Sequence, residues 1–266
     1  MTSSLSLSSS FNGNVYVRLT GAIGGTFNGT IAFTSASATP VNKAVAGTVS
    51  CAPAAFPFVE NFSYTSGTAL SANCWSVHSS GNNPITVQTG TITYPGYLSS
   101  GIGGQVTVTG GSTGEDVNRT FSPQTSGDVY ASFLVNVSSA TTTGDYFFHL
   151  GQTTIGTTFR GRLFVIRDAS NKLAFGIAQS TATANYTAYS YDLNTTYLIV
   201  LRFNIVTGTS NDVASIYVNP VLNETEPGEW LDNKYRCCKY RSYGDRFSSN
   251  SVQVELVPIL HLFLMV

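Results

Sequence analysis

The stretch GRLFVIRDASNKLAFGIAQ, residues 161 to 179, decides the fold. After DASNK (168 to 172) the large apolar residues Leu173, Phe175 and Ile177 fall at every second position, the period of a strand that turns one face to a core, and before it Leu163 to Ile166 form a strand-length apolar run. Asp, Ser and Asn between two such runs close a hairpin. The same punctuation continues outward. VYASFLVNV (129 to 137), DYFFHLG (145 to 151), TYLIVLRFNI (196 to 205) and VASIYVNP (213 to 220) are strand-length runs separated by turn residues. No window keeps a 3.6-residue period over the length of a helix. From Phe58 to about Pro220 the chain reads as all-β, and roughly 160 residues at this spacing predict a two-sheet jelly-roll β-sandwich. Glu60 to Tyr64 is expected to be its first strand.

Upstream, NVYVRLTG, GTFNGTIAFTSA and NKAVAGTVS alternate at Val15, Val17, Leu19, Ile31, Phe33, Val45 and Val49. They predict about three strands, too few to close a sandwich. CAPAAFP (51 to 57) has no period, and Pro53 and Pro57 cannot donate to a ladder, so it reads as a linker. The expected organisation is a partial β module over 1–50, a linker over 51–57, a β-sandwich over 58–227 and a tail over 228–266.

The 266 residues are 42% hydrophobic and only 10% charged, with a net charge of -1. That content supports a real core and argues against a nucleic-acid binder or a basic membrane-surface patch. Abundant Ser, Thr, Gly and Asn with Tyr and Phe suggest a secreted β protein. The opening MTSSLSLSSSFNGNVYVRL lacks the basic and apolar regions of a secretory signal. Either a cytoplasmic protein has a secreted-looking composition, or this is an internal piece of a longer exported chain. No run reaches the roughly 18 apolar residues of a membrane helix. Cys51 and Cys74 are the only cysteines before the tail, and their spacing dictates no pairing.

The succession F-H-L-G (148–151), R-G-R-L-F-V (160–165), L-A-F-G-I (173–177), Y-L-I-V-L-R-F (197–203) and I-Y-V-N-P (216–220) resembles the concanavalin A-like lectin and glucanase superfamily. More narrowly, it looks like the laminin-G-like modules of proteins exported by the Bacteroidetes type IX route. There an opening E-N-F-x-Y-x-x-G-x-x-L, here Glu60 to Leu70, precedes a Trp such as Trp75 and then G-E-D-V-N-R-x-F, here Gly114 to Phe121. Val15, Val17, Arg18 and Leu19, with a G-T-F-N-G turn at Gly25 to Gly29, resemble the immunoglobulin-like repeats that precede such domains. The resemblance implies a non-catalytic, lectin-like module of an extracellular or cell-surface protein, acting in glycan binding or adhesion. Its alternative is a spacer or accessory domain of a larger exported enzyme whose catalytic domain lies elsewhere. The expected partner is a polysaccharide or surface glycan, with no nucleic acid.

Glycan-cleaving members carry E-x-D-x-x-E on one strand, so that alternation turns acid and nucleophile to one face. The chain has no such triplet, and Glu115 and Asp116 are adjacent, so no enzyme activity is expected. His78 reads as a solvated loop residue and His149 as a packed strand residue. Two clusters remain. Glu115, Asp116 and Asn118 offer oxygens that suit Ca²⁺, the one candidate cofactor; the competing reading pairs Glu115 or Asp116 with Arg119 or Arg162. Trp75, Tyr186, Tyr189 and Tyr191, with Tyr94 and Tyr97 nearby, could stack on sugar rings; the competing reading puts them in the core.

The tail differs from the rest. The last 39 residues hold 5 of the 13 Lys and Arg and 2 of the 4 cysteines, in the run KYRCCKYRSYGDRF (234 to 247). Adjacent Cys237 and Cys238 lack the spacing and partners of a zinc site. A shifted reading frame accounts for the abrupt change, and the tail is expected to be non-native or poorly ordered, with VQVELV (252 to 257) its first strand-like run.

Overall fold

The alternation in 161–179 becomes two antiparallel strands, Arg160–Arg167 and Lys172–Ala178, paired from Leu173↔Arg167 to Ala178↔Arg162. Asp168 Oδ1 accepts the N–H groups of Ser170 and Lys172, both at 2.8 Å, and Asn171 takes the left-handed conformation at φ 62. An aspartate that bonds the backbone ahead of it replaces part of the turn's own hydrogen bonding. The computed structural model describes residues 5–8, 10–17, 25–79, 81–110, 114–152, 154–180, 183–208, 211–222, 238–241, 253–256 and 262–265, the last three as backbone.

The chain divides into two compact units, Met1–Cys51 and Ala52–Val266. Among its described residues the first holds one hairpin, β1 (Gly25–Ser35) and β2 (Ala38–Val49), in register from Gly25↔Val49 to Ser35↔Ala38. Two of the three expected strands are therefore present. Residues 14–17 of the first run form no strand, and 18–21 lie outside the described residues. The G-T-F-N-G stretch, expected as a turn, opens β1 instead. Phe27, Ile31 and Phe33 continue one face of a strand straight through it, and that pattern overrides the turn preference of Asn28 and Gly29.

The second unit contains β3 (Ser76–Ser79), β4 (Thr86–Gln88), β5 (Gln105–Val108), β6 (Asp116–Thr120), β7 (Gly127–Val137), β8 (Asp145–Gly151), β9 (Arg160–Arg167), β10 (Lys172–Ala178), β11 (Asn185–Tyr186), β12 (Tyr191–Asp192), β13 (Thr196–Ile205), β14 (Val213–Val218), β15 (Cys238–Arg241), β16 (Gln253–Leu256) and β17 (Leu262–Met265). The larger sheet runs β11-β10-β9-β8-β16-β6-β3, with β12 also on β10, and the other runs β15-β14-β13-β7-β17-β5-β4. One apolar cluster draws on both sheets: Val117, Phe148, Leu163, Val165, Leu173, Phe175 and Ile177 from the larger, Val106, Phe133, Val135, Ile199, Leu201 and Phe203 from the other. This is a two-layered antiparallel β-sandwich, as the sequence predicts. Among the described residues the only helical turn is a 3₁₀ segment, Leu70–Asn73, and no helix is long and apolar enough to cross a membrane.

Glu60–Tyr64 is not the first strand. Glu60 is buried, and its carboxylate accepts Phe62 N–H at 2.8 Å, Tyr64 O–H at 2.8 Å and Trp75 Nε1–H at 3.3 Å. This knot bends the chain through φ 48 at Phe62, which breaks strand geometry. Burial, with the bond to Glu60, raises the Tyr64 phenol. In the tail, β16 lies within VQVELV and joins β6 to β8, while β17 joins β5 to β7. Cys238–Arg241 pairs with β14; the rest of KYRCCKYRSYGDRF lies outside the described residues.

Candidate functional site

Strand alternation separates the two faces of the larger sheet. Leu163 and Val165 of β9 and Val117 of β6 enter the core, so Arg162, Phe164, Asp116 and Asn118 lie on the outer face. In β8 the ladder slips between Tyr146 and Phe148, and this bulge sends Tyr146 outward while Phe148 and Leu150 stay inside. The outer face thereby gains an aromatic floor. The Arg162 guanidinium lies 4.0 Å from the Tyr146 ring centre, 4.3 Å from that of Phe159 and 5.5 Å from that of Phe164. Such stacking fixes a cation that burial would otherwise penalise.

Tyr186 extends the floor. A Cβ built on Gly176 would meet its ring at 2.7 Å, and one on Gly144 would meet its hydroxyl at 2.6 Å. Two glycines therefore make the bed on which this ring lies. Phe164 is 6.4 Å away, edge to face. Tyr189, 44% exposed, stands close enough to act electrostatically on Tyr186, as does Asp145. Burial raises the Tyr186 phenol.

A polar rim lies across β6 and β3. Asn118 Nδ2 donates to Ser76 O and to His78 Nδ1, both at 3.2 Å, which leaves the His78 proton on Nε2, 4.0 Å from Asp116 Oδ2. Burial is the main cause that raises the Asp116 carboxyl; Ser79 and His78 oppose it, and Asp145 adds to it. His149, between Tyr146 and Phe159, is fully buried, and its Nδ1–H donates to Leu150 O at 2.9 Å. Desolvation pushes its pKa down to about 3, so it is neutral here.

Several expectations need correction. Trp75 is 2% exposed, stacked near Phe62 and bonded to Glu60, so it offers no ring to a ligand. Tyr191 packs inward against Phe175 and Tyr197, each at 5.2 Å, and leaves the platform to Tyr186 and Tyr189. Tyr94 and Tyr97 cover the outer face of the other sheet around Leu134 and Leu198. His78 lies on β3, not in a loop. The three expected Ca²⁺ ligands do not converge: Glu115 Oε1 accepts Ile85 N–H at 3.2 Å, while Asp116 and Asn118 flank His78. Among the described residues no group of three or more His, Cys, Asp or Glu is placed to hold a metal ion. Arg119 donates to Cys74 O. Cys51 and Cys74 are both disulfide-bonded.

Tyr146, Phe159 and Phe164 were not singled out from the sequence, and Arg162 appeared only as an ion-pair partner. The usable signal was the alternation of L-A-F-G-I-A: Ala174, Gly176 and Ala178 put only small residues on the outer face of β10, which leaves room for something to lie over it.

No protein-family model and no curated protein matches the chain. Among solved structures, it is similar to the metal-free carbohydrate recognition domain of Emp46p, at 11% identity and TM-score 0.39, over 78% of this chain and 94% of that one. It is also similar to domain 4 of AbnA, an extracellular arabinanase of Geobacillus stearothermophilus, in complex with arabinotriose, at 11% identity and TM-score 0.34, over 72% and 81%. A third is the alginate lyase Aly36B in complex with an alginate tetrasaccharide, at 16% identity and TM-score 0.33, over 72% and 96%. At these values the description of the site stands on its own residues.

Proposed function

We propose that the Ala52–Val266 unit binds an oligosaccharide, without cleaving it, on the outer face of the larger sheet. The observation that carries this reading is the Tyr186 ring bedded on Gly144 and Gly176 beside the exposed Tyr189. Tyrosine rings present apolar faces to the C–H faces of sugars, and the rim of Asp116, His78 and Asp145 offers donors and acceptors to hydroxyls.

The non-catalytic reading is supported by the disposition of the carboxylates. Glu115 turns to Ile85 while its neighbour Asp116 faces His78, so this pair cannot act as acid and nucleophile on one substrate. The disulfide-bonded Cys51 and Cys74 suit an oxidising compartment and support a secreted or cell-surface module. A glycan array probed with the full chain and with Tyr186→Ala tests the reading. We expect a restricted set of oligosaccharides to bind the parent and to lose signal on the variant. A folded chain that binds none of them would favour the spacer role.

A further inference from the structure

Register puts Tyr186, Gly176, Phe164 and Tyr146 in one row across β11, β10, β9 and β8. The Tyr186 ring lies along that direction. A Cβ on Gly176 of β10 would meet the Cδ1–Cε1 edge of the ring, while one on Gly144, just before β8, would meet the hydroxyl. The phenol oxygen therefore sits at the head of β8, where Asp145 follows. Asp145 Oδ1 accepts Tyr146 N–H at 2.8 Å; among the described residues neither its Oδ2 nor the Tyr186 hydroxyl has a hydrogen-bond partner. Asp145 acts electrostatically on Tyr186 on one side and on Asp116 on the other, so it joins the two parts of the face. Beyond β8 the sheet continues through β16 to β6 and β3, where Asp116 Oδ2 lies 4.0 Å from His78 Nε2. With strands about 4.8 Å apart, the three steps from β9, between the two glycines, to β6 cover about 14 Å, longer than a disaccharide.

Resting on the reading of this face as a glycan site, we propose that it takes a chain of at least three sugar units laid across the strands, with Asp145 the residue that selects the middle unit. The first unit stacks on the Tyr186 ring. The Tyr186 hydroxyl and Asp145 Oδ2 then offer one donor and one acceptor side by side, a pair that suits two adjacent hydroxyls on the next unit. The third unit meets the Asp116–His78 pair, whose side chains are 18% and 19% exposed. Asp145 also sets the substrate class. An acyl or sulfate group on either middle hydroxyl removes a bond and leaves a carboxylate facing a group that cannot donate to it, so the middle unit carries free hydroxyls.

The test is calorimetric titration of the full chain with the di-, tri-, tetra- and pentasaccharide of the series that gives signal on the array. Affinity should rise about tenfold or more from the disaccharide to the tetrasaccharide and then level off. Asp145→Asn keeps an Oδ1 for the Tyr146 N–H but loses the charge, and it should lower tetrasaccharide affinity about tenfold, the loss expected of a hydrogen bond to a charged group. Asp116→Ala should erase the gain that comes with length; if that variant fails to fold, the length series and Asp145→Asn still decide. Equal affinity for disaccharide and tetrasaccharide, or a tetrasaccharide indifferent to Asp145→Asn, overturns the proposal and leaves the glycan reading standing. A folded chain that binds no length at all overturns both.

Discussion

Glu60 shows how much one side chain fixes. Three donors converge on its carboxylate, from Phe62, Tyr64 and Trp75, and the irregular path of 60–75 follows from them. Glu60→Ala leaves buried donors without a partner, and we expect a loss of about 3 kcal/mol in denaturant unfolding. A change below about 1 kcal/mol would mean the knot is not what shapes the segment. His149 provides a test by pH. Burial holds it neutral with a pKa of about 3, whereas in the unfolded chain it titrates near 6.5. As pH falls through that window the unfolded state takes up a proton that the folded state refuses, so stability drops by up to about 1.4 kcal/mol per pH unit. Asp116 and Asp212, both raised by burial, act in the opposite direction in acid, so the parent's profile alone mixes the two. The stability of the parent minus that of His149→Phe should therefore fall as pH drops from 6.5 to 4. A constant gap would show that His149 is protonated in the folded protein.

At the scale of elements, the β9–β10 hairpin was legible because its strand period and its turn chemistry agree. Asn171→Ala puts at φ 62 a residue whose side chain cannot bond locally to offset that conformation, and we expect a loss of about 1 kcal/mol, with Asn171→Gly close to neutral. Equal stability of the two variants would contradict the turn assignment. Elements were misread where one contact outweighed the local pattern, as at Glu60–Tyr64, or where a turn-like pair sat inside a longer alternation, as at Asn28–Gly29. The site was legible in part. Tyr186, Tyr189, Asp116 and Asn118 could be chosen as chemistry-bearing residues, but tyrosine type does not say which way a ring points, and Tyr191 and Trp75 point inward. The floor around Arg162 depends on a bulge in β8, and a period-two reading that assumes unbroken strands sends Tyr146 to the wrong face.

At the scale of the molecule, both sheets depend on strands from the tail. Among the described strands β16 alone joins β6 to β8, and β17 alone joins β5 to β7. A chain ending at Pro227 would newly unpair five strand edges, on β5, β6, β7, β8 and β14, so it should aggregate or unfold without a cooperative transition, as followed by size-exclusion chromatography and thermal melting. A monomeric, cooperative truncation would agree with the sequence-based expectation that residues 228–266 are foreign to the sandwich. Composition exposed the break at that point but carried no information on where the strands beyond it would pair. The functional claim rests on the larger sheet's outer face, and Gly176 gives direct access to it, since a methyl group there collides with the Tyr186 ring while the inner face of β10 stays unchanged. The most direct test is calorimetric titration of the full chain and of Gly176→Ala with an oligosaccharide selected on the array. The account predicts an affinity about tenfold lower for Gly176→Ala, the order of 1 kcal/mol expected of a displaced stacking ring. Equal affinities, with Tyr186 shown to have moved, would place the sugar elsewhere and contradict the account.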